Sequence, residues 1–173
     1  DDIAPQLTII KDPTNADGGA ALPDEFLLTV AGGDVLSGVS NEYAANIAMP
    51  INETLVDGYA FVSITGDPKC PAALGGTVTL APGDDITCTI TNDDIAPQLT
   101  ITKEPPNDDG GAALPDAFLL TAAGGDVLSG VSNEYAANIP TPINETLVDG
   151  YAFVSITGEP KCHAPLGRTI ASP

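Results

Sequence analysis

A lysine and an asparagine lie at positions where the alternation of apolar and polar residues predicts side chains that point inward. Lys11 shares one face of an expected strand with Leu7 and Ile9, and Asn92 shares one face of another strand with Ile90. Burial disfavours the charged form of an amine, so we expect it to lower the pKa of Lys11. A neutral lysine amine can attack a carboxamide when both groups are held at reacting distance. These residue types are therefore compatible with single-turnover chemistry, the formation of a covalent cross-link.

The chain around these residues is a tandem duplication. A shift of 92 residues aligns residues 1–81 with residues 93–173, and 65 of the 81 positions are identical. Copies of about 90 residues are typical of tandem domains, because solenoid repeats have periods of about 20 to 50 residues. Residues 82–92 have no counterpart after Pro173. We therefore predict a complete domain at residues 1–92 and a second domain, at residues 93–173, that lacks its last strand.

Short stretches of period-2 alternation predict the fold class. The clearest strand places Ile86, Cys88, Ile90 and Asn92 on one face and threonines on the other. Turns rich in glycine, asparagine and aspartate separate such stretches, and the chain has 18 glycines and 16 prolines. No window carries a convincing helical period. We predict an all-β protein of tandem antiparallel β-sandwich domains, each with about seven strands.

The net charge limits the classes of partner. The 173 residues include 24 acidic and 5 basic residues, which gives a net charge of -19. Binding to nucleic acid or to an anionic membrane surface requires lysine and arginine, so we expect neither partner. No apolar run approaches the roughly 18 residues of a membrane-spanning helix, so we expect no membrane insertion. Because no charged and apolar leader opens the sequence, we expect a mature or excised fragment.

The three cysteines indicate a second covalent link. Cys70 and Cys88 both lie in the first copy, and Cys162 repeats Cys70 without a repeated partner. Two cysteines in a small acidic β-domain favour a Cys70–Cys88 disulfide that forms in an oxidising compartment. The alternative is a pair of buried free thiols. A zinc site is not expected, because the chain has one histidine.

Three segments carry a resemblance to a known family. They are Leu-Thr-Ile-Ile-Lys near the start, Ile-Asn-Glu-Thr-Leu-Val-Asp-Gly-Tyr in the middle and Cys-Thr-Ile-Thr-Asn at the end of the first copy. In this order they resemble the prealbumin-like, Cna B-type (SpaA-like) domains of bacterial surface proteins and pilus subunits. The resemblance implies a spontaneous isopeptide bond between a lysine and an asparagine within each complete domain.

The resemblance also implies a role for each residue. Lys11 is the expected nucleophile, Asn92 the amide that it attacks, and Glu53 the acid that assists by moving protons. Lys103 and Glu145 match Lys11 and Glu53 in the second copy, where the asparagine partner is absent or comes from another chain. Each residue also has a simpler interpretation: a solvated lysine at a strand end, an asparagine in a turn and a glutamate on an exposed strand face.

Acidic loops give weak candidates for a metal site. Their carboxylates could bind calcium, although they lack the spacing of an EF-hand loop. Solvated turn chemistry is the simpler interpretation, and we expect that no cofactor is required. The candidates are Asp17, Asp24, Asp93, Asp94, Asp108 and Asp109.

The favoured function is a non-enzymatic structural repeat of an extracellular or cell-surface stalk, adhesin or fibre from a bacterium or archaeon. Its expected partners are neighbouring repeats of the same protein. One alternative is a filament subunit, in which a strand from another copy completes the second domain by donor-strand complementation. Another alternative is a calcium-dependent adhesive or carbohydrate-binding module.

Overall fold

The computed structural model describes residues 2–162 and the backbone of residues 169–171. It consists of β-strands and three short 3₁₀ helices, so the all-β prediction is confirmed. The chain divides into a first unit, residues 1–95, and a second unit, residues 96–173. The last strand of the first unit ends at Asp94, two residues beyond the boundary that the sequence predicts. The 3₁₀ helices are Pro23–Glu25, Pro115–Ala117 and Pro160–Cys162.

The first unit is a sandwich of two four-stranded sheets, with eight strands where the sequence predicts about seven. One sheet has the order β4-β1-β8-β6 and the other has the order β3-β2-β5-β7. The strands are β1 (Gln6–Thr14), β2 (Leu28–Val30), β3 (Gly33–Val35), β4 (Ser40–Glu42), β5 (Ala48–Glu53), β6 (Tyr59–Gly66), β7 (Thr77–Thr79) and β8 (Asp85–Asp94).

Strand β8 occupies the interior of its sheet. It pairs with β1 in parallel along all nine residues of β1, and it pairs with β6 in antiparallel fashion. This parallel pair is an exception within the antiparallel β-sandwich that the sequence predicts. Alternation reveals which face of a strand is buried, but it carries no information about the direction of the neighbouring strand. The unit thus closes by placing its first and last strands side by side.

Inward-facing side chains of both sheets form one hydrophobic core. Leu7 and Ile9 of β1 meet Ile51 of β5, and each of these side chains is at most 2% exposed. Cys88 and Ile90 of β8 are completely buried in the same core. Burial of a large apolar side chain contributes about 1.5 to 3 kcal/mol, so β8 is a main contributor to the stability of the unit.

A tight turn joins β2 to β3. Ala31 and Gly32 form it, with φ angles of 51° and 80°. Positive φ at both central residues is typical of a type I′ hairpin turn, whose twist matches that of the flanking strands. Ala123 and Gly124 repeat this turn in the second unit, with φ angles of 51° and 80°.

The second unit repeats one sheet and part of the other. Its strands form a four-stranded sheet of order β11-β10-β13-β14 and a two-stranded sheet of β12 and β9. Strand β9 has three residues, whereas β1, its counterpart, has nine. In the described part of this unit no strand corresponds to β6 or β8. The strands are β9 (Gln98–Thr100), β10 (Leu120–Ala122), β11 (Gly125–Val127), β12 (Ser132–Glu134), β13 (Pro140–Glu145) and β14 (Thr169–Ala171).

Candidate cross-link site

Three strands of the first unit bring Lys11, Asn92 and Glu53 together. Lys11 is on β1, Asn92 is on the neighbouring strand β8, and Glu53 is the last residue of β5 in the opposite sheet. The side chains of Lys11 and Glu53 are fully buried, and Asn92 is also fully buried. The backbone N–H of Lys11 donates a hydrogen bond to Ser37 Oγ at 2.8 Å, which fixes this point of β1. Polar groups from both sheets therefore meet in the core.

The amine of Lys11 contacts each of its neighbours directly. Its Nζ lies 2.5 Å from Asn92 Oδ1, closer than an ordinary N–H···O hydrogen bond, and 3.3 Å from the carbonyl oxygen of Ile90. Glu53 Oε2 lies 3.2 Å from the same nitrogen. The ring of Phe26 covers the amine, with 4.3 Å between Nζ and the ring centroid. The arrangement holds an amine against a carboxamide, with an acid beside the amine, in a site closed to solvent.

The surroundings of Lys11 lower the pKa of its amine. Desolvation lowers the pKa of Lys11 below the ordinary lysine value of 10.5, and the nearby carboxylates of Glu53 and Asp12 offset only part of this effect. A buried ion pair is costly, because attraction between the charges must compensate for the loss of hydration of both. Loss of its proton would make the Lys11 amine nucleophilic.

Two polar atoms at this site have no polar partner among the described residues. They are Oε1 of Glu53 and Nδ2 of Asn92, whereas Oε2 of Glu53 forms the ion pair with Lys11. Unpaired buried polar atoms typically cost about 1 to 3 kcal/mol each, so folded proteins rarely keep them without a reason. Conversion of the Asn92 amide into a bond with Lys11 would remove Nδ2 from the core as ammonia.

The second unit contains a matching but more open site. Lys103 Nζ lies 2.8 Å from Glu145 Oε2, and the ring centroid of Phe118 is 4.3 Å from Nζ. The Lys103 side chain is 17% exposed and that of Glu145 is 6% exposed, whereas their counterparts in the first unit are fully buried. The structure thus brings the predicted lysine and glutamate together, and the described residues of this unit include no counterpart of Asn92.

A disulfide joins Cys70 to Cys88, as the sequence predicts. The two Cα atoms are 5.7 Å apart. The bond ties β8 to the loop after β6 through Cys88, which lies four residues before Asn92. The disulfide therefore restrains β8 in addition to the hydrogen bonds with its neighbouring strands. Cys162, the repeat of Cys70, is a half-buried free thiol.

Phe26, whose ring covers the amine of Lys11, was not among the site residues that the sequence predicts. This residue lies just after the first 3₁₀ helix and packs edge-on against Tyr59, with ring centroids 5.5 Å apart. Phe118 and Tyr151 repeat the contact at 5.3 Å. A phenylalanine that recurs at the same position of both copies, in a chain with few aromatic residues, indicates a specific contact. The sequence does not show that this contact is with a lysine.

The acidic residues proposed for calcium have different surroundings. The buried carboxylate of Asp94 accepts hydrogen bonds from the backbone N–H groups of Asp17 and Gly19, at 3.0 Å and 2.6 Å for Oδ2. Asp24 is exposed, and Asp93 is half-buried. Asp108 and Asp109 are exposed in the second unit. Among residues 2–162 and 169–171, no group of three or more acidic, histidine or cysteine side chains could hold a metal ion.

Comparison with protein families agrees with this architecture. A family described as the prealbumin-like fold domain (SpaA type) matches residues 2–90 and 94–155. The chain belongs to this family. No curated protein and no solved structure matches the chain significantly. The two matched regions confirm a tandem pair of prealbumin-like domains, and no helix in the described residues is long and apolar enough to span a membrane. SpaA-type prealbumin-like domains are structural repeats typical of extracellular surface proteins.

Proposed function

We propose that the chain is part of an extracellular stalk, adhesin or fibre whose complete prealbumin-like domains are locked by an autocatalytic Lys–Asn isopeptide bond. The observation that carries this proposal is the buried contact of Lys11 with both Glu53 and Asn92. A lysine amine that contacts both a glutamate and a carboxamide inside a core has no evident role in packing. The contact supports amide exchange, which requires that the amine be held close to the group that it attacks.

The reaction begins with proton transfer from Lys11 to Glu53. The neutral Nζ attacks Cγ of Asn92, and protonated Glu53 donates a hydrogen bond to Oδ1, which stabilises negative charge on that oxygen. The Nζ–Cγ bond forms and the Cγ–Nδ2 bond breaks. Glu53 passes a proton to Nδ2 and takes one from Nζ, so ammonia leaves and the carboxyl group ends protonated, with the one proton that it gained from Lys11 at the start. The reaction consumes both side chains, so each domain reacts once and is not an enzyme.

The disulfide supports the same role outside the cell. Disulfides persist mainly in oxidising compartments, and this one anchors the strand that also carries Asn92. A disulfide that closes a loop of this size stabilises a domain by about 3 kcal/mol. The two covalent links would make the first unit resistant to unfolding, which suits a protein exposed to proteases.

The test is the intact mass of the purified chain after reduction of its disulfide. Loss of ammonia lowers the mass by about 17 Da per bond, so we expect one such loss for the whole chain. A tryptic peptide that joins the Lys11 and Asn92 segments would place the bond. A chain of unshifted mass would refute the proposal.

Variants at the reacting residues control this measurement. Asn92→Ala and Lys11→Arg remove one reacting group each, so both should restore the mass calculated from the sequence. Lys103→Arg changes the matching lysine of the second unit and should keep the loss of about 17 Da. Lys103 also pairs with a glutamate, so Lys103→Arg is a matched control. It distinguishes ammonia lost in the reaction of Lys11 with Asn92 from ammonia lost elsewhere in the chain.

A second candidate function is assembly into filaments by donor-strand complementation. The observation that favours it is an open groove in the second unit beside Lys103, where the first unit holds β8. If β8 of another copy filled this groove, Asn92 of one chain would react with Lys103 of the next. A ladder of covalent multimers on a denaturing gel would support assembly, and monomers alone at high protein concentration would exclude it.

The structural proposal requires no cofactor. Asp94, the most buried of the acidic candidates, already accepts backbone hydrogen bonds through both carboxylate oxygens. We therefore expect the melting temperature to be the same with calcium and with a chelator. A chelator-dependent fall would instead support the calcium-dependent adhesive module.

A further inference from the structure

Two asparagines of the chain are followed, two residues later, by a threonine. The segments Asn52-Glu53-Thr54 and Asn144-Glu145-Thr146 occupy matching positions of the two units, and the other seven asparagines have no serine or threonine at that distance. Asparagine, any residue except proline, and then serine or threonine is the acceptor pattern for an N-linked glycan. Each unit therefore contains one candidate modification site, at an asparagine that the proposed cross-link does not use.

The strand geometry exposes the asparagine and the threonine of the first pattern. Successive side chains of a strand point to opposite faces, and at the end of β5 the side chains of Ile51 and Glu53 are fully buried. Asn52 and Thr54, on either side of Glu53, are exposed. A carboxamide and a hydroxyl group two residues apart thus lie on the outer face of the sheet, where an enzyme can bind both.

The second unit presents its pattern in the same way. Asn144 and Thr146 are both exposed. In the first unit, the backbone N–H of Thr54 donates a hydrogen bond to the carbonyl oxygen of Leu27 at 2.9 Å. The N–H of Thr146 donates the corresponding hydrogen bond to Leu119 at 2.8 Å. The two patterns therefore have the same backbone setting.

The surface around Asn52 has room for a sugar. Asn52 lies opposite Thr29 of β2 in the antiparallel ladder, and Gly75 lies on its other side. A Cβ atom added at Gly75 would lie 3.7 Å from Asn52 Oδ1, so the absent side chain leaves space beside the carboxamide. Small neighbours on both sides therefore allow a bulky group on Nδ2 without a change in the backbone.

Exposed leucines lie next to both sites. Leu27 and Leu55 are exposed, one hydrogen-bonded to Thr54 through its carbonyl group and the other directly after Thr54 in the chain. Leu119 and Leu147 repeat this arrangement in the second unit. Neighbouring apolar side chains on a surface favour association with other molecules, whereas an attached glycan is bulky and solubilising. A sugar at each asparagine would cover the apolar surface beside it.

We propose that Asn52 and Asn144 are acceptor sites for an N-linked oligosaccharide, which is transferred from a lipid diphosphate carrier during export of the chain. This inference goes beyond the proposed cross-link and does not rest on it. The two share only the export of the chain, since the acceptor pattern is used in secreted proteins. Each unit then carries its sugar on the outer face of the sheet whose inner face holds the glutamate.

The transfer balances in atoms and electrons. Nδ2 of the asparagine forms a bond to the anomeric carbon of the sugar, and the bond from that carbon to the diphosphate oxygen breaks. The lipid diphosphate departs with the electron pair of the broken bond, and Nδ2 loses one proton. No oxidation or reduction takes place, and the carboxamide remains an amide.

Burial separates the two asparagine chemistries. Asn92 is fully buried in contact with Lys11, and it is followed by two aspartates, so it lacks both access for an enzyme and the required hydroxyl residue. Asn52 faces solvent on the opposite side of β5 from Glu53. Each asparagine is therefore available to one of the two reactions.

The test is mass spectrometry of peptides from the full chain exported by the cells that produce it. We expect the peptides that contain Asn52 and Asn144 to be heavier than calculated by whole sugar residues, at about 160 to 200 Da each. The segments Ala48-Met49 and Pro140-Thr141, which precede the two patterns, distinguish the peptides. Peptides of the calculated mass at both positions would overturn the inference.

Variants exported by the same cells test the pattern. Asn52→Gln should remove the sugar of the first unit and leave that of the second, and Asn144→Gln should have the opposite effect. Thr54→Ala should also remove the first sugar, whereas Thr54→Ser keeps a hydroxyl group and should retain it. A first-unit sugar that persists in Asn52→Gln would be attached to another residue, and would overturn the assignment to Asn52.

Two variants separate this inference from the proposed function. Asn92→Ala should abolish the peptide that joins the Lys11 and Asn92 segments and keep both sugars, whereas Asn52→Gln should keep the joined peptide. If the exported chain contains the joined peptide but no sugar, the glycan inference fails and the proposed function stands. Sugars without the joined peptide would support the glycan inference and refute the proposed cross-link.

Discussion

Lys11 reaches Asn92 diagonally across two parallel strands. In the ladder, Asn92 lies opposite Pro13 and Lys11 lies opposite Ile90, yet Lys11 Nζ is 2.5 Å from Asn92 Oδ1. The long lysine side chain spans the two-residue offset, while the short asparagine side chain stays near its own backbone. A register shift of one residue would turn Asn92 toward the outer face, so the same ladder that closes the sheet also selects the reacting pair.

Replacement of Glu53 by glutamine should block the cross-link. Glutamine has nearly the same shape, but it cannot receive a proton from Lys11 and return it to the leaving nitrogen. General acid–base catalysis contributes about 100-fold to 10,000-fold, so we expect Glu53→Gln to slow the loss of ammonia by at least about 100-fold. Intact mass followed over time after refolding measures this rate. Glu145→Gln, the matched change in the second unit, should leave it unaltered, and a wild-type rate in Glu53→Gln would contradict the assigned role.

The rate of cross-linking should fall at alkaline pH. The reactive neutral pair of Lys11 and Glu53 holds one proton, as does the ion pair, and loss of this proton from Lys11 leaves the site without an acid for the departing nitrogen. Because burial lowers the pKa of Lys11, the alkaline fall should begin below pH 10.5.

Refolding the chain at a series of pH values, with quenching and mass measurement at intervals, would trace this profile. The variant Glu53→Gln provides the comparison. Its residual rate should rise with pH as Lys11 deprotonates, since no carboxyl group remains to lose a proton. A steady rise in the unaltered chain up to pH 10.5 would show that Glu53 takes no part in proton transfer.

Loss of the disulfide should destabilise the first unit. Cys70→Ser leaves Cys88 as a buried thiol, which packs as a small apolar side chain, so the main effect is the lost loop constraint. We expect a loss of about 3 kcal/mol, measured by urea unfolding in the Asn92→Ala background, where the isopeptide bond cannot form. Cys162→Ser removes a free thiol and should change stability by less than about 0.5 kcal/mol. Equal effects of the two changes would contradict this account.

Asp94 should stabilise the loop that precedes β2. Its carboxylate accepts backbone hydrogen bonds from Asp17 and Gly19, and Asp94→Asn would turn an amide N–H₂ toward at least one of these donors. We expect a loss of about 1.5 to 3 kcal/mol, because hydrogen bonds to charged groups lie in that range. Asp2 occupies the same place in the sequence repeat but is exposed, so Asp2→Asn is the matched control. It should have an effect below about 0.5 kcal/mol in thermal unfolding.

Alternation in the sequence predicted much of the site but not its assembly. The inward faces of Lys11 and Asn92 follow from local period-2 patterns, because burial on one face is encoded within each strand. Glu53 comes from the opposite sheet, so its pairing with Lys11 depends on how the sheets stack, and only the family resemblance indicated it. The contact between Phe26 and Lys11 depends on the same stacking.

The differences between the two units also depend on long-range pairing. Residues 98–106 match β1 at six of its nine positions, yet only Gln98–Thr100 forms a strand. Local propensity is therefore nearly identical in the two copies, and the presence of β8 decides whether the rest of the segment joins a sheet. Tertiary context outweighs β-propensity, as is common for strands.

The separation between the reacting residues determines how far such a chain can stretch. Lys11 and Asn92 are 81 residues apart, and the next lysine of the pattern, Lys103, follows Asn92 by eleven residues. With the bond in place, tension along the backbone bypasses the residues between Lys11 and Asn92. Each period of 92 residues could then lengthen by the contour of about 11 residues, roughly 37 Å, instead of roughly 310 Å. An array of cross-linked units would behave as a nearly inextensible tether of fixed reach.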